Sequence, residues 1–383
     1  MSLTESQREW LRLSLVPGVG TTLFIRLLAR FGTPREVLRA SASALEDVVG
    51  ERLADRIRQY REFVDLEAQE AAIEKYEVRF VTMEDPLYPA RLAEIYDPPL
   101  SLFTRGDLHE ADQFCVAIVG TREATAYGLR MAERLGTELA ARGLTVASGM
   151  ALGVDAAAHR GALSTGGRTI AVLGCGVDVV FPAENAELMH EIIQGGCVVS
   201  PFPMGMKALK GNFPQRNRVI SGLSMGTVVV EAPPGSGALI TARQAAEQGR
   251  EVFAVPGQVG NRNSLGPHTL IREGAKLVES AEDILAELEV PAAARRAPAP
   301  SRAAQKAAAN AAPPEHVPAA ATPVPAVSEV EKDVLAVLSP EGSFVDEISL
   351  ACRISVSEAL SSLTMLELKG LVRQFSGKRF APR

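Results

Sequence analysis

Residues 226–257, GTVVVEAPPGSGALITARQAAEQGREVFAVPG, hold a complete structural unit. GTVVVEA reads as a short strand rich in Val, GSGALITA as a turn feeding a helix N-terminus, and EVFAVPG as a second strand. Upstream, FCVAIVG (114–120), GLTVASG (143–149), TIAVLG (169–174) and CVVS (197–200) repeat the strand pattern, with helical stretches between most of them. Their near-continuous apolar character fits strands covered on both faces, hence a parallel sheet between helix layers. The expected class is α/β: an extended Rossmann-like, doubly wound and mostly parallel sheet over 81–290.

In such a sheet ligands gather beyond the carboxyl ends of the strands. The loops there read GTREATAYG (120–128), SGMALGVDAAAH (148–159), GCGVDVVFPAEN (174–185), PFPMGMKALKGNFPQRNR (201–218), EAPPGSGALITAR (231–243) and PGQVGNRNSLGPH (256–268). Glycine lets main-chain N–H groups converge, and helix N-termini favour anions. A dinucleotide or ATP is poorly supported: Arg122 stands where a Gly-rich fingerprint needs glycine, and no G-K-[ST] closes a P-loop. No cofactor is expected.

The chain carries a formal charge of -6, yet Ile192–Val230 contains no Asp or Glu and holds Lys207, Lys210, Arg216 and Arg218. With Arg122 from the first loop, these cations can face one groove, and Phe202 or Phe213 can stack on a base. Guanidiniums and aromatics around an electropositive groove suit a single strand bound without base-edge readout. The plainer reading pairs Arg216 or Arg218 with Asp155 or Glu231 inside the fold. Asp155 and His159 share a helical face, four residues apart. An Asp–His bond tying that helix to a loop fits better than a triad with Ser148, because SGMAL is not a nucleophile elbow. No catalytic constellation and no metal cluster emerge. Cys115, Cys175, Cys197 and Cys352 form no C-x-x-C pair and read as reduced thiols.

Four segments follow. Residues 1–80 read as a helical domain, with PGVG (17–20) between two helices in a helix-hairpin-helix or SAM-like manner and an amphipathic helix through the charged Glu51–Glu77. The α/β domain spans 81–290. A flexible linker spans 291–328; between Pro291 and Val330, 16 of 40 residues are Ala and 8 are Pro, too little apolar area to offset ordering. In 329–383, helices over Glu331–Leu338, Val345–Cys352 and Ser355–Lys369 precede a hairpin turning at Gly377, a winged-helix-like pattern. Lys378 and Arg379 could touch duplex DNA there, but few cations favour protein docking. The N-terminus lacks a secretion-signal pattern and no apolar run reaches 18 residues, so a cytoplasmic protein without a membrane span is expected.

GTREATAYG, SGMALGVDAAAH, FPQRNRVISGLS, EAPPGSGALITARQAAEQGREVFAVPG and SLGPHTLIREGAKLV together resemble the DNA-processing protein A family (DprA/Smf), strongly over Asp85–Val278. The resemblance implies a non-enzymatic protein that binds and protects incoming single-stranded DNA in natural transformation. It also implies help in loading the recombinase RecA and a homodimer formed through the Rossmann-like domain. It puts phosphate contacts at Arg122, Arg216 and Arg218, with Lys207, Lys210 and Phe213 beside them. The pocket is shaped by Gly120, Thr121, Ser148, Gly149, Gly153, Asp155, Asn217, Gly235, Ser236 and Gly237. One departure is visible: Pro201 stands where the family has a glutamate after the fourth strand. The competing reading is a phosphoribohydrolase-like nucleotide hydrolase, whose motif places a glutamate after the glycine turn; here Ile240 and Thr241 stand in that region.

Overall fold

The computed structural model describes residues 3–290, 328–339, 342–369, 371–375 and 379–382. The linker read over 291–328, except for its last residue, lies outside the described residues, as do Gly377 and Lys378. The chain divides into two compact units, Met1–Ala299 and Pro300–Arg383.

The first unit carries a nine-stranded sheet: β1 (Arg79–Thr82), β2 (Ser101–Gly106), β3 (Cys115–Val119), β4 (Thr145–Ser148), β5 (Thr169–Val172), β6 (Cys197–Ser200), β7 (Gly226–Val229), β8 (Glu251–Ala254) and β9 (Lys276–Leu277). Their order is β1-β2-β6-β5-β4-β3-β7-β8-β9. The six runs read from the sequence are β3–β8, and all of them pair in parallel. The sequence reading missed β1 and β2, which add an antiparallel edge, and the two-residue β9.

Alternation along each strand builds two cores, because successive side chains point to opposite faces. Val116, Ile118 and Val228 pack under α8 (Ala126–Ala141), α9 (Val154–Ser164) and α14 (Ala281–Glu287). Ala117, Val119 and Val229 pack against α11 (Asn212–Leu223) and α12 (Gly237–Glu247) on the other face.

Six helices precede the sheet: α1 (Glu5–Ser14), α2 (Thr21–Phe31), α3 (Pro34–Arg39), α4 (Ala42–Val49), α5 (Glu51–Arg58) and α6 (Leu66–Lys75). Helices α1 and α2 flank a turn in which Gly18 has φ +100°, as PGVG suggested. The charged stretch Glu51–Glu77 is not one helix. It breaks after α5 into a short 3-10 turn, and the Asp65 side chain then caps α6 by accepting from the Ala68 N–H at 3.0 Å. Trp10 Nε1 donates to Leu100 O at 3.0 Å. Trp10, Leu11 and Phe24 share one core with Phe80, Phe103 and Val198, so these helices are packed onto the sheet.

The second unit holds α15 (Glu329–Val337), α16 (Val345–Cys352) and α17 (Val356–Leu368), with β10 (Ser343–Phe344), β11 (Val372–Phe375) and β12 (Arg379–Pro382) in the order β10-β12-β11. Ser355 and Glu358 form a capping box at the start of α17. Val334, Ile348, Leu363, Leu366 and Phe380 make its core, in a winged-helix arrangement.

Candidate nucleic-acid interface

The sheet order reverses at β3: β4 lies on one side of it and β7 on the other. Loops leaving β3 and β7 therefore diverge and open a cleft, the usual ligand site of such sheets. A cavity of about 370 Å³ sits there, lined by Gly120, Thr121 and Arg122 after β3, by Asp155, by Arg216 and Asn217 of α11, and by Gly235, Ser236 and Gly237 at the start of α12. Gly235 has φ +79°, and nothing lies within 4 Å of where a Cβ would stand on Gly235 or Gly237. Ser236 Oγ accepts from the Ala238 N–H at 3.3 Å and caps the eleven-residue helix.

FPQRNR is not part of a loop. It forms the first turns of α11, with Pro214 third in the helix. Proline is tolerated there because first-turn N–H groups have no intrahelical partner. Arg216 thus points from a helix into the sheet edge and is 5% exposed. Its Nη1 donates to Gly149 O at 2.6 Å and Val172 O at 2.5 Å, and its Nε to Asn217 Oδ1 at 3.1 Å. Gly149 is required for this approach, since a Cβ on it would lie 2.3 Å from Arg216 Nη1.

Asp155, at the start of α9, accepts from the Gly149 N–H at 3.1 Å and the Ala151 N–H at 3.4 Å. Burial raises its carboxyl above the ordinary range, while the Arg216 charge and the loop amides pull it back. Gly153 has φ +79°, and a Cβ there would lie 2.4 Å from Thr121 O, so only glycine joins these two loops.

His159 is not bonded to Asp155. Its Nδ1 meets Thr169 Oγ1 at 2.6 Å, and burial lowers it to about 3, so it is a neutral core residue. Ser148 Oγ donates to Ile118 O at 2.6 Å and lines neither cavity of the cleft, which leaves no triad. Glu231 does not pair with an arginine. It accepts from Thr125 N and Oγ1 at 2.8 and 2.6 Å and so caps α8. Arg218 binds the backbone and carboxylate of Asp97, so the acid-free run does find an acid, one distant in sequence. Phe202 is 9% exposed and closed to stacking. Thr241 lines the cavity where a hydrolase would place its carboxylate. Among the described residues no group of His, Cys, Asp and Glu could hold a metal, and no helix is long and apolar enough to cross a membrane.

Phe213 is half-buried, with its ring centroid 5.9 Å from that of Phe181. The guanidiniums of Arg122 and Arg216 stand 5.5 and 5.8 Å from the Phe213 ring centroid. A second cavity of about 430 Å³ opens beyond it, lined largely by Leu152, Leu173, Val180, Phe181 and Pro182, and it shares Arg122, Ala151, Phe213 and Arg216 with the first. An anion-suited chamber and an apolar one therefore adjoin across one cationic, aromatic wall. Arg122, Lys207 and Lys210 are exposed and have no ion-pair partner among the described residues.

One positioning residue escaped the sequence reading. Gln69 of α6 donates through Nε2 to Met204 O at 3.1 Å and accepts at Oε1 from the Met204 N–H at 3.0 Å. It clamps the loop that carries Lys207 and Lys210, from a helix 135 residues upstream, and nothing local in the sequence signals it. Gln69→Ala is expected to lower the stability of the first unit by about 1–3 kcal/mol, the loss of two net hydrogen bonds. A urea titration checks this.

Fold and cleft define a doubly wound α/β binding protein whose switch-point site sets a cationic, glycine-rich cavity beside an apolar one. The family model described as DNA recombination-mediator protein A matches residues 79–289, and that of the DprA winged helix domain matches 318–378. The chain belongs to the DNA recombination-mediator protein A (DprA/Smf) family, whose members are DNA-binding mediators and not catalysts. It is 42% identical over 256 residues to protein Smf of Escherichia coli, covering 65% of this chain and 68% of that one. The structure of DNA processing protein A from Streptococcus pneumoniae is 36% identical, with a TM-score of 0.65 over 76% of this chain and all of the other. That of Helicobacter pylori, reported for its single-stranded DNA binding mode, is 31% identical, with a TM-score of 0.50 over 54% and 94%.

Proposed function

We propose that this protein binds single-stranded DNA in transformation and recombination, protects the strand and helps load RecA. The observation that carries the reading is the shared wall of Arg122, Phe213 and Arg216 between an anion-suited cavity and an apolar one. Phosphates lie against Arg122, the free edge of Arg216 and the open start of α12, while a base stacks on Phe213. Lys207 and Lys210 extend the cationic track. Arg218, tied to Asp97, acts through α11 or re-pairs with phosphate when DNA arrives.

Homodimerisation through the Rossmann-like domain and a cytoplasmic location belong to the same reading. The short edge strand β9, with exposed Leu277, offers a place for a second copy. The helical segment 1–80 serves as an accessory domain and 291–328 as a tether. The winged-helix module 329–383 docks onto protein in preference to duplex DNA: α17 carries no Lys or Arg from Val356 to Leu368, whereas groove-reading helices depend on cationic contacts.

Titrating labelled single-stranded and duplex oligonucleotides at several salt concentrations tests the reading. Tighter binding of the single strand is expected, with affinity falling as salt rises. Equal or stronger binding of the duplex would sink it.

A further inference from the structure

The apolar cavity contains one anionic side chain. Glu184, in the short 3-10 turn Ala183–Asn185, lines the same cavity as Arg122 and Arg216. It is exposed and makes no hydrogen bond or ion pair among the described residues. A carboxylate beside a polyanion costs affinity unless it faces a hydrogen-bond donor, and here the phosphates have their own chamber across the Arg122–Phe213–Arg216 wall. The donors a DNA strand can bring into the apolar chamber are those on its base edges. At about 430 Å³ the chamber falls within the range of small-molecule sites, about 300–1,000 Å³.

We propose that Glu184 makes this chamber selective for guanine, a preference that rests on the single-strand reading above and refines it. A carboxylate only accepts, through two oxygens side by side. Guanine alone presents two adjacent donors on its Watson–Crick edge, N1–H and the N2 amino group. Adenine and cytosine present one amino group next to an acceptor. Thymine presents one N–H between two carbonyls, which the second carboxylate oxygen repels. Phe213 and Phe181 supply stacking for any base, so the strand is held generally while one position is read. Single-strand proteins bind over a sequence-tolerant stacking background, and an unstacked base can be read in addition by hydrogen bonds on its Watson–Crick edge.

The test compares three 20-mers, (TTTG)5, (TTTI)5 with inosine for guanine, and dT20, against wild type, Glu184→Ala and Glu184→Gln at one salt concentration. Isolated guanines avoid quadruplex formation, and inosine removes only the N2 donor. Wild type is expected to bind (TTTG)5 at least about fivefold more tightly than dT20, the low end of the discrimination a bidentate pair provides, with (TTTI)5 between them. Glu184→Ala abolishes the ranking and raises dT20 affinity by removing a repulsive charge. Glu184→Gln keeps the shape and one acceptor oxygen, and retains part of the preference. If wild type binds all three strands equally, or Glu184→Ala leaves the ranking intact, guanine selection is overturned while single-strand binding stands. If wild type binds none of them, both readings fall.

Discussion

Arg216→Ala is expected to lower the stability of the α/β unit by about 2–6 kcal/mol, because two buried carbonyls lose their charged donor at about 1–3 kcal/mol each. The guanidinium holds two strand-end carbonyls, Gly149 O and Val172 O, and lies in the field of the buried Asp155. Alanine leaves both carbonyls without that donor and the carboxylate without its countercharge. The loss carries a pH signature. Burial already raises the Asp155 carboxyl above the ordinary value of 3.8, and Arg216 opposes that rise. Without the arginine the folded-state value climbs further. Above it the variant keeps a buried unpaired carboxylate and the full deficit. As pH falls through it, the folded state takes up a proton that the unfolded chain does not yet bind, so the deficit shrinks until about pH 3.8. Urea midpoints of variant and wild type at several pH values between 4 and 8, taken as differences, would show this. A pH-independent deficit would mean that Asp155 is held by its loop amides alone.

How much of this was legible beforehand follows from which interactions are local. The six parallel strands announced themselves through short Val- and Ile-rich runs, whereas their order, and with it the place of the switch-point cleft, came only from the structure. The glycine turns that let loops approach one another were readable as glycine-rich, although the specific need at Gly149 and Gly153 appears only once Arg216 and Thr121 are placed against them. What escaped depends on distant partners. Asp97 meets Arg218 across 121 residues, and Gln69 meets Met204 across 135. Asp155 and His159 share a helical spacing, yet their partners come from a loop and a strand instead of each other. The helical start of FPQRNR was hidden by its proline, whose meaning differs between a helix's first turn and its interior.

The same distinction, local charge against distant partner, separates cations that hold the fold from cations that hold DNA. Arg122, Lys207 and Lys210 are exposed and lack ion-pair partners among the described residues, so their loss removes no folded-state interaction of that kind. The triple variant Arg122→Ala, Lys207→Ala, Lys210→Ala is therefore expected to keep its unfolding free energy, from urea titration, within about 0.5 kcal/mol of wild type. Its single-strand binding should collapse. Each neutralised phosphate contributes about 0.7 to the log–log salt slope, so three lost contacts make it shallower by about 2. If the two proteins converge at 1 M salt, that slope difference amounts to about a 100-fold affinity loss at 0.1 M. Titrations across that range measure slope and affinity together. A triple variant with unchanged slope and unchanged affinity would move the DNA track off this cleft. One that binds weakly with an unchanged slope would point instead to lost stacking on Phe213, which Arg122 overlies. Charge loss alone lowers affinity and slope together, and that joint change is the result expected if phosphates lie along these three side chains.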